Sequence, residues 1–186
     1  MTAPARCAAA LFTCLLLVLT AAPPATAALP SKETWLADVR AAMNGSHRQL
    51  DRRVEQGGGQ LAVNFDIDNT TLASHYDPGA PVDRVLRFAN YARSKGVSLL
   101  FNTARLRGDG RKLKAKTQLE RAGYVVAGIC MRRKGEGLVH SKTRCRRTFV
   151  ARGYTLVANV GNRATDFEGG YYERAYHLPN YDNQLT

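Results

Sequence analysis

Four short apolar runs punctuate the chain: QLAVNF ending at Phe65, VSLLFN at 97–102, YVVAGI at 124–129 and YTLVANV at 154–160. Each has the length of a strand and each follows a glycine, so each predicts a buried strand. A short segment near Arg174 to Leu178 is a candidate fifth. Between the runs the apolar residues change to a helical period. SKETWLADVRAAMNG predicts a helix capped by Ser31, with Trp35, Val39 and Met43 on one face and Asn44-Gly45 as its stop. Ser46 can cap a second helix through Glu55, carrying Leu50 and Val54. Pro81 suits the first turn of a third, in which Val82, Val85, Leu86, Ala89 and Ala92 keep the period until Gly96. Residues 109 to 122 predict a basic helix resting on Leu113 and Leu119. Ser141 predicts the cap of another that reaches Arg152, with Phe149 and Val150 among its core contacts.

Strands alternating with helices at this spacing imply βαβ crossovers. The fold class expected is α/β, a three-layer sandwich around a parallel, Rossmann-like sheet. Three segments are expected: a leader over 1–27, a helical piece over 28–59 packed on the core, and the α/β domain over 60–186. A helical piece of that size could hardly hold a core alone.

The leader reading rests on Arg6, an apolar stretch from Ala8 to Leu19, and the small residues Ala25-Thr26-Ala27. A single-span anchor is the alternative, but the apolar stretch is short for a bilayer. The expectation is therefore a secreted, extracellular protein cleaved after Ala27, with no membrane span in the mature chain. Cys130 and Cys145 are the cysteines that remain. In an oxidising compartment they can pair; two buried free thiols are the other possibility.

Net charge is +12, and residues 105–152 hold fifteen Lys/Arg against Asp109, Glu120 and Glu136. Such a field suits a polyanion or steers phosphorylated ligands to a nearby site, unless it is only a solvated basic surface. The sequence leaves the oligomeric state open.

The candidate chemistry lies at the ends of the strands. The first apolar run closes on Asp66 and Asp68, followed by Asn69, Thr70 and Thr71. Acids at the carboxyl end of such a strand stand where open α/β sheets bind ligands. Burying them is costly without a compensating cation or hydrogen bonds. An Asp-rich turn capping a helix is the plain alternative for this motif alone.

DIDNT resembles the DxDxT signature of the haloacid dehalogenase (HAD) superfamily. With its later partners the chain is similar to the acid-phosphatase branch, subfamily IIIB, which includes class B and plant vegetative acid phosphatases. The resemblance runs from Leu61 to Tyr181. It implies that Asp66 is a nucleophile forming an aspartyl-phosphate and that Asp68 protonates the leaving alcohol. It implies that Thr103, in LLFNTAR, and Lys142, in HSKTRCRR at the start of a helix, bind the substrate phosphate. Arg105 resembles an arginine that commonly follows the second motif, where it can also brace a loop by an ion pair. The implied metal is Mg²⁺, held by Asp66, Asp68, Asn162 and Asp166.

The last motif, VANVGNRATDFEG followed by HLPNYDN, departs from the branch at two places. Asn162 replaces a metal-binding aspartate, and Tyr181 stands where a proline is usual. An amide oxygen can serve a hard cation but removes one negative charge. GNRATD is also similar to the GNR-x-x-D stretch of lipin-type phosphatidate phosphatases, a Mg²⁺-dependent HAD group. Between Asp68 and Thr103 there is room for a loop and one helix, so no large cap domain is expected and bulky phosphate esters can enter.

The function expected is a secreted Mg²⁺-dependent phosphomonoesterase of the acid-phosphatase type. The alternatives are a phosphatase of polyanions, such as nucleic-acid ends or lipid phosphates, and a non-catalytic storage or binding relative. Retention of Asp66, Asp68, Thr103, Lys142 and Asp166 argues against the last.

Overall fold

The computed structural model describes residues 28–185, so the leader expected over 1–27 lies outside the described residues. Five parallel strands form one sheet in the order β3-β2-β1-β4-β5. They are β1 (Gln60–Phe65), β2 (Ser98–Leu106), β3 (Gly128–Arg132), β4 (Tyr154–Gly161) and β5 (Ala175–His177). The helices are α1 (Lys32–Ala42), α2 (Ser46–Glu55), α3 (Asp83–Ser94), α4 (Arg111–Arg121) and α5 (Leu138–Ala151), with a 3-10 turn at Ala164–Asp166.

Strand alternation divides the core into two layers. Val63 and Phe101 face one side, where Trp35, Val39, Phe88 and Leu119 from α1, α3 and α4 are buried. Their neighbours Ala62 and Leu100 face the other side, against Phe149 of α5. The three-layer α/β sandwich is thus the architecture found. Among the described residues no helix is long and apolar enough to cross a membrane.

β1 is central, so Asp66 emerges between β2 and β4 at the carboxyl edge of the sheet. Cys130 on edge strand β3 is bonded to Cys145 on α5, across a Cα–Cα distance of 5.5 Å. Beside that bridge Arg144 holds Glu136, its Nε 2.5 Å from Oε1. This pairing keeps the Glu136 carboxyl at about 2, well under its ordinary value.

Several elements differ from the sequence reading. The third strand is Gly128–Arg132, not 124–129. Tyr124 is spent on closing α4, its N–H donating to the Leu119 carbonyl at 3.0 Å, and its ring meets Phe101 edge-on. Val125 faces solvent. Helix α5 starts at Leu138 behind Gly137, and Ser141 lies inside it, already donating its N–H to the Gly137 carbonyl. Ser141 is therefore not a cap, and Lys142 sits one turn into the helix rather than at its start.

Pro81 precedes α3, whose N-cap is Val82. Gly45, with φ of 71°, caps α2 in place of Ser46, which is buried. Leu113 is 68% exposed and Val150 39% exposed. Leu113 is six residues from Leu119, on a different face of α4. Ala115, four residues away, fills the inward position instead.

Candidate active site

Three strands deliver the site, and each carries an asparagine inside its apolar run. Asn64 on β1 donates to Asn159 Oδ1 on β4 at 2.5 Å. Asn159 passes the constraint on, donating to the Asp166 backbone carbonyl at 2.9 Å. Asn102 on β2 donates from Nδ2 to the Lys142 carbonyl at 2.8 Å, while Lys142 Nζ donates back to the Asn102 carbonyl at 2.8 Å. All three asparagines are buried, so these bonds replace water and fix the side chains above them.

Lys142 Nζ lies 2.5 Å from Asp66 Oδ1 and 2.6 Å from Asp166 Oδ1, and all three side chains are almost fully buried. Two carboxylates against one ammonium leave an excess negative charge in a buried site. Burial accordingly raises the Asp66 pKa, Asp166 adds to the rise, and Lys142 opposes it. Burial works against the Lys142 charge, but Asp66 and Asp166 outweigh it and the ammonium is retained.

Thr70 joins the next pair of oxygens. Its hydroxyl donates to Asp66 Oδ2 at 3.3 Å and reaches Asn162 Oδ1 at 3.5 Å, bringing both acceptors to one place. Asn162 Nδ2 is turned away, donating to Asn180 Oδ1 at 3.3 Å. Asp166 Oδ2 accepts from the Arg163 N–H at 3.0 Å. That fold-back requires Gly161, because a Cβ there would stand 2.5 Å from Asp166 Oδ2 and 2.6 Å from its Cβ.

These oxygens are suited in kind to a hard cation. Asp66 Oδ2 and Asn162 Oδ1 converge, and the buried excess of negative charge is of the sign a cation relieves. Among the described residues no cluster of three His, Cys, Asp or Glu side chains is arranged for a metal. Asn162 is an amide, and Lys142 already pairs with Asp166.

Asp68 is half-buried and takes its partners from outside this cluster. Arg105 grips both of its oxygens, Nε to Oδ2 at 2.8 Å and Nη2 to Oδ1 at 2.6 Å, and Ser74 donates to Oδ1 at 2.6 Å. Burial alone would raise the Asp68 pKa, but the bonds from Arg105 and Ser74 win and lower it. Thr103 is fully buried on β2 beside β1, and its hydroxyl accepts from the Arg105 N–H at 3.1 Å. Asp66, Lys142, Asp166 and Asn162 thus form one cluster through direct contacts and Thr70. Asp68 and Thr103 are tied to it through Arg105 and their strands.

Sequence reasoning missed Asn64, Asn102, Asn159 and Arg146. For the asparagines the signal was available: a polar residue in the middle of an apolar strand asks for a buried partner. Arg146 is wholly buried on α5 and donates to the backbone carbonyls of Asp166, Glu168 and Gly170, bracing the loop that carries Asp166. Nothing in a run of basic residues distinguishes it from exposed Arg147 beside it.

A buried carboxylate at one strand end, a buried lysine and a Gly-x-x-x-x-Asp loop on the next strand meet at the carboxyl edge of the α/β sheet. The chain belongs to the HAD superfamily, subfamily IIIB (acid phosphatase), whose family model matches residues 76–184. That match includes Thr103, Lys142, Asn162 and Asp166, while Asp66 and Asp68 precede it. The enzyme is a phosphatase.

Two solved structures of the class C acid phosphatase from Bacillus anthracis are similar in fold. One, with tungstate bound, has a TM-score of 0.60 and 18% identity, covering 81% of this chain and 79% of that one. The other has a TM-score of 0.59 and 20% identity, with the same coverage. No match was found among curated protein sequences.

Proposed function

We propose that the protein is an exported, Mg²⁺-dependent phosphomonoesterase that works through an aspartyl-phosphate on Asp66. The observation that carries this is the buried triad, in which Lys142 Nζ holds Asp66 Oδ1 at 2.5 Å. The contact fixes one carboxylate oxygen and directs the other, Oδ2, toward Thr70 and Asn162. It also supplies fixed positive charge where the transferring phosphoryl group gathers negative charge.

In the first step Asp66 attacks phosphorus, the P–O bond to the alcohol breaks, and Asp68 gives the departing oxygen its proton. In the second, Asp68 takes a proton from water as that water attacks the aspartyl-phosphate, which releases inorganic phosphate. Thr103, at the end of β2, binds a phosphate oxygen in this reading. The Asp66 and Asp166 carboxylates, Asn162 Oδ1 and the Asp68 backbone carbonyl would hold Mg²⁺, whose contribution is charge neutralisation at the phosphate oxygens.

Turnover of p-nitrophenyl phosphate, with and without Mg²⁺ after chelation, tests the proposal. Hydrolysis restored by Mg²⁺ supports it. No hydrolysis under either condition across pH 4 to 8 contradicts it.

A further inference from the structure

Two cavities flank edge strand β3 and both are lined with cations. The first, about 660 Å³, is walled by Arg105, Arg111, Lys114 and Arg132, and it opens beside the carboxylate that Arg105 grips. The second, about 550 Å³, is walled by Arg107, Lys112, Arg133, Arg144 and Arg152, with Asp109 its only acid. They share Met131 of edge strand β3 and enclose the segment between β2 and α4. Arg144 is paired with Glu136, and Arg132 donates only to backbone carbonyls. Arg107, Arg111, Lys112, Lys114, Arg133 and Arg152 form no ion pair among the described residues.

Unpaired cations along two adjoining hollows make a track. It begins at Arg105, the residue that grips Asp68, and continues along the β3 edge. We infer that this track holds the leaving-group portion of the substrate, and that the substrate is a single-stranded nucleic acid ending in a phosphomonoester. The inference rests on the proposed roles of Asp66 and Asp68. A strand's successive phosphates match a row of cations spread over two cavities, which a lone small ester cannot span. A membrane surface fits less well, because a bilayer cannot enter concave hollows. Leu113 is also the one large hydrophobic on α4 that stands exposed.

Binding separates the track from the catalysis. The Asp66→Asn protein is titrated by fluorescence anisotropy with 5′-phosphorylated oligothymidylates of two and twelve nucleotides. The twelve-mer should bind at least about tenfold tighter. With about four phosphates neutralised, its log affinity should fall with log salt at a slope near −3. The double change Lys112→Glu/Arg152→Glu should remove about tenfold of twelve-mer affinity. Arg87→Glu/Arg93→Glu on α3, an equal change in net charge, should cost under about threefold.

Equal losses from the two double changes, affinity independent of length, or tighter binding to phosphatidylserine vesicles than to the twelve-mer would each overturn the inference. Turnover of p-nitrophenyl phosphate by the unsubstituted protein judges the catalytic reading separately. Turnover without length-dependent binding removes the track and leaves the phosphatase.

Discussion

Arg105 holds both oxygens of Asp68 in a two-pronged grip, at 2.8 and 2.6 Å, and so keeps this carboxyl in its charged form. A general acid must carry a proton when the leaving group departs. With its pKa lowered, Asp68 carries one more fully as pH falls, so poor leaving groups should be cleaved best in acid. In Arg105→Gln the pKa rises, and the alkaline limb of kcat/KM for an alkyl phosphate should move to higher pH. A limb that stays in place would mean that Asp68 is not the proton donor.

Gly161→Ala should cost at least about tenfold in kcat. The new Cβ meets Asp166 Cβ at 2.6 Å, so the side chain that pairs with Lys142 must shift. The melting temperature should drop too, since overpacking of this kind costs about 1–3 kcal/mol. Full activity in the variant would show that Asp166 need not fold back.

Asn162→Asp should lower the Mg²⁺ concentration that gives half-maximal activity. Its Oδ1 already shares Thr70 with Asp66 Oδ2, and a carboxylate there adds charge to an oxygen site. A Mg²⁺ titration at saturating substrate reads this directly. An unchanged or higher requirement would remove residue 162 from the metal's neighbours.

Reduction of Cys130–Cys145 should destabilise the fold. The bridge closes a loop of sequence separation 15, worth about 3 kcal/mol in the chain-entropy model. For a domain of this size the melting temperature should fall by about 6–12 °C. Melting in the presence and absence of a reductant checks this, and a shift under about 2 °C would mean that the bridge carries little.

What was legible in the sequence was whatever period and punctuation encode. Glycines 59, 96, 123 and 153 each stand before an apolar run, and β1, β2 and β4 began where those runs began, to within a residue. Tyr124 shows why the third did not: an apolar run can close a helix and cap a core before any strand begins. Leu113 and Val150 show that an apolar residue on a helix is not thereby inward. Contacts across the fold were beyond reach. The clamp of Asn102 on Lys142 joins residues 40 apart, and the bond from Arg146 to the Asp166 carbonyl joins residues 20 apart. No local pattern specifies either.

Whether Asp66 is the nucleophile is decided by the rate at which Asp66→Asn hydrolyses p-nitrophenyl phosphate. The amide keeps the shape of the side chain, so circular dichroism should match the unsubstituted protein. Turnover should fall at least about a thousandfold, as expected when a group that forms the covalent intermediate is removed. A folded variant retaining more than about a tenth of the activity would contradict the account, and the nucleophile would have to be sought elsewhere in the site.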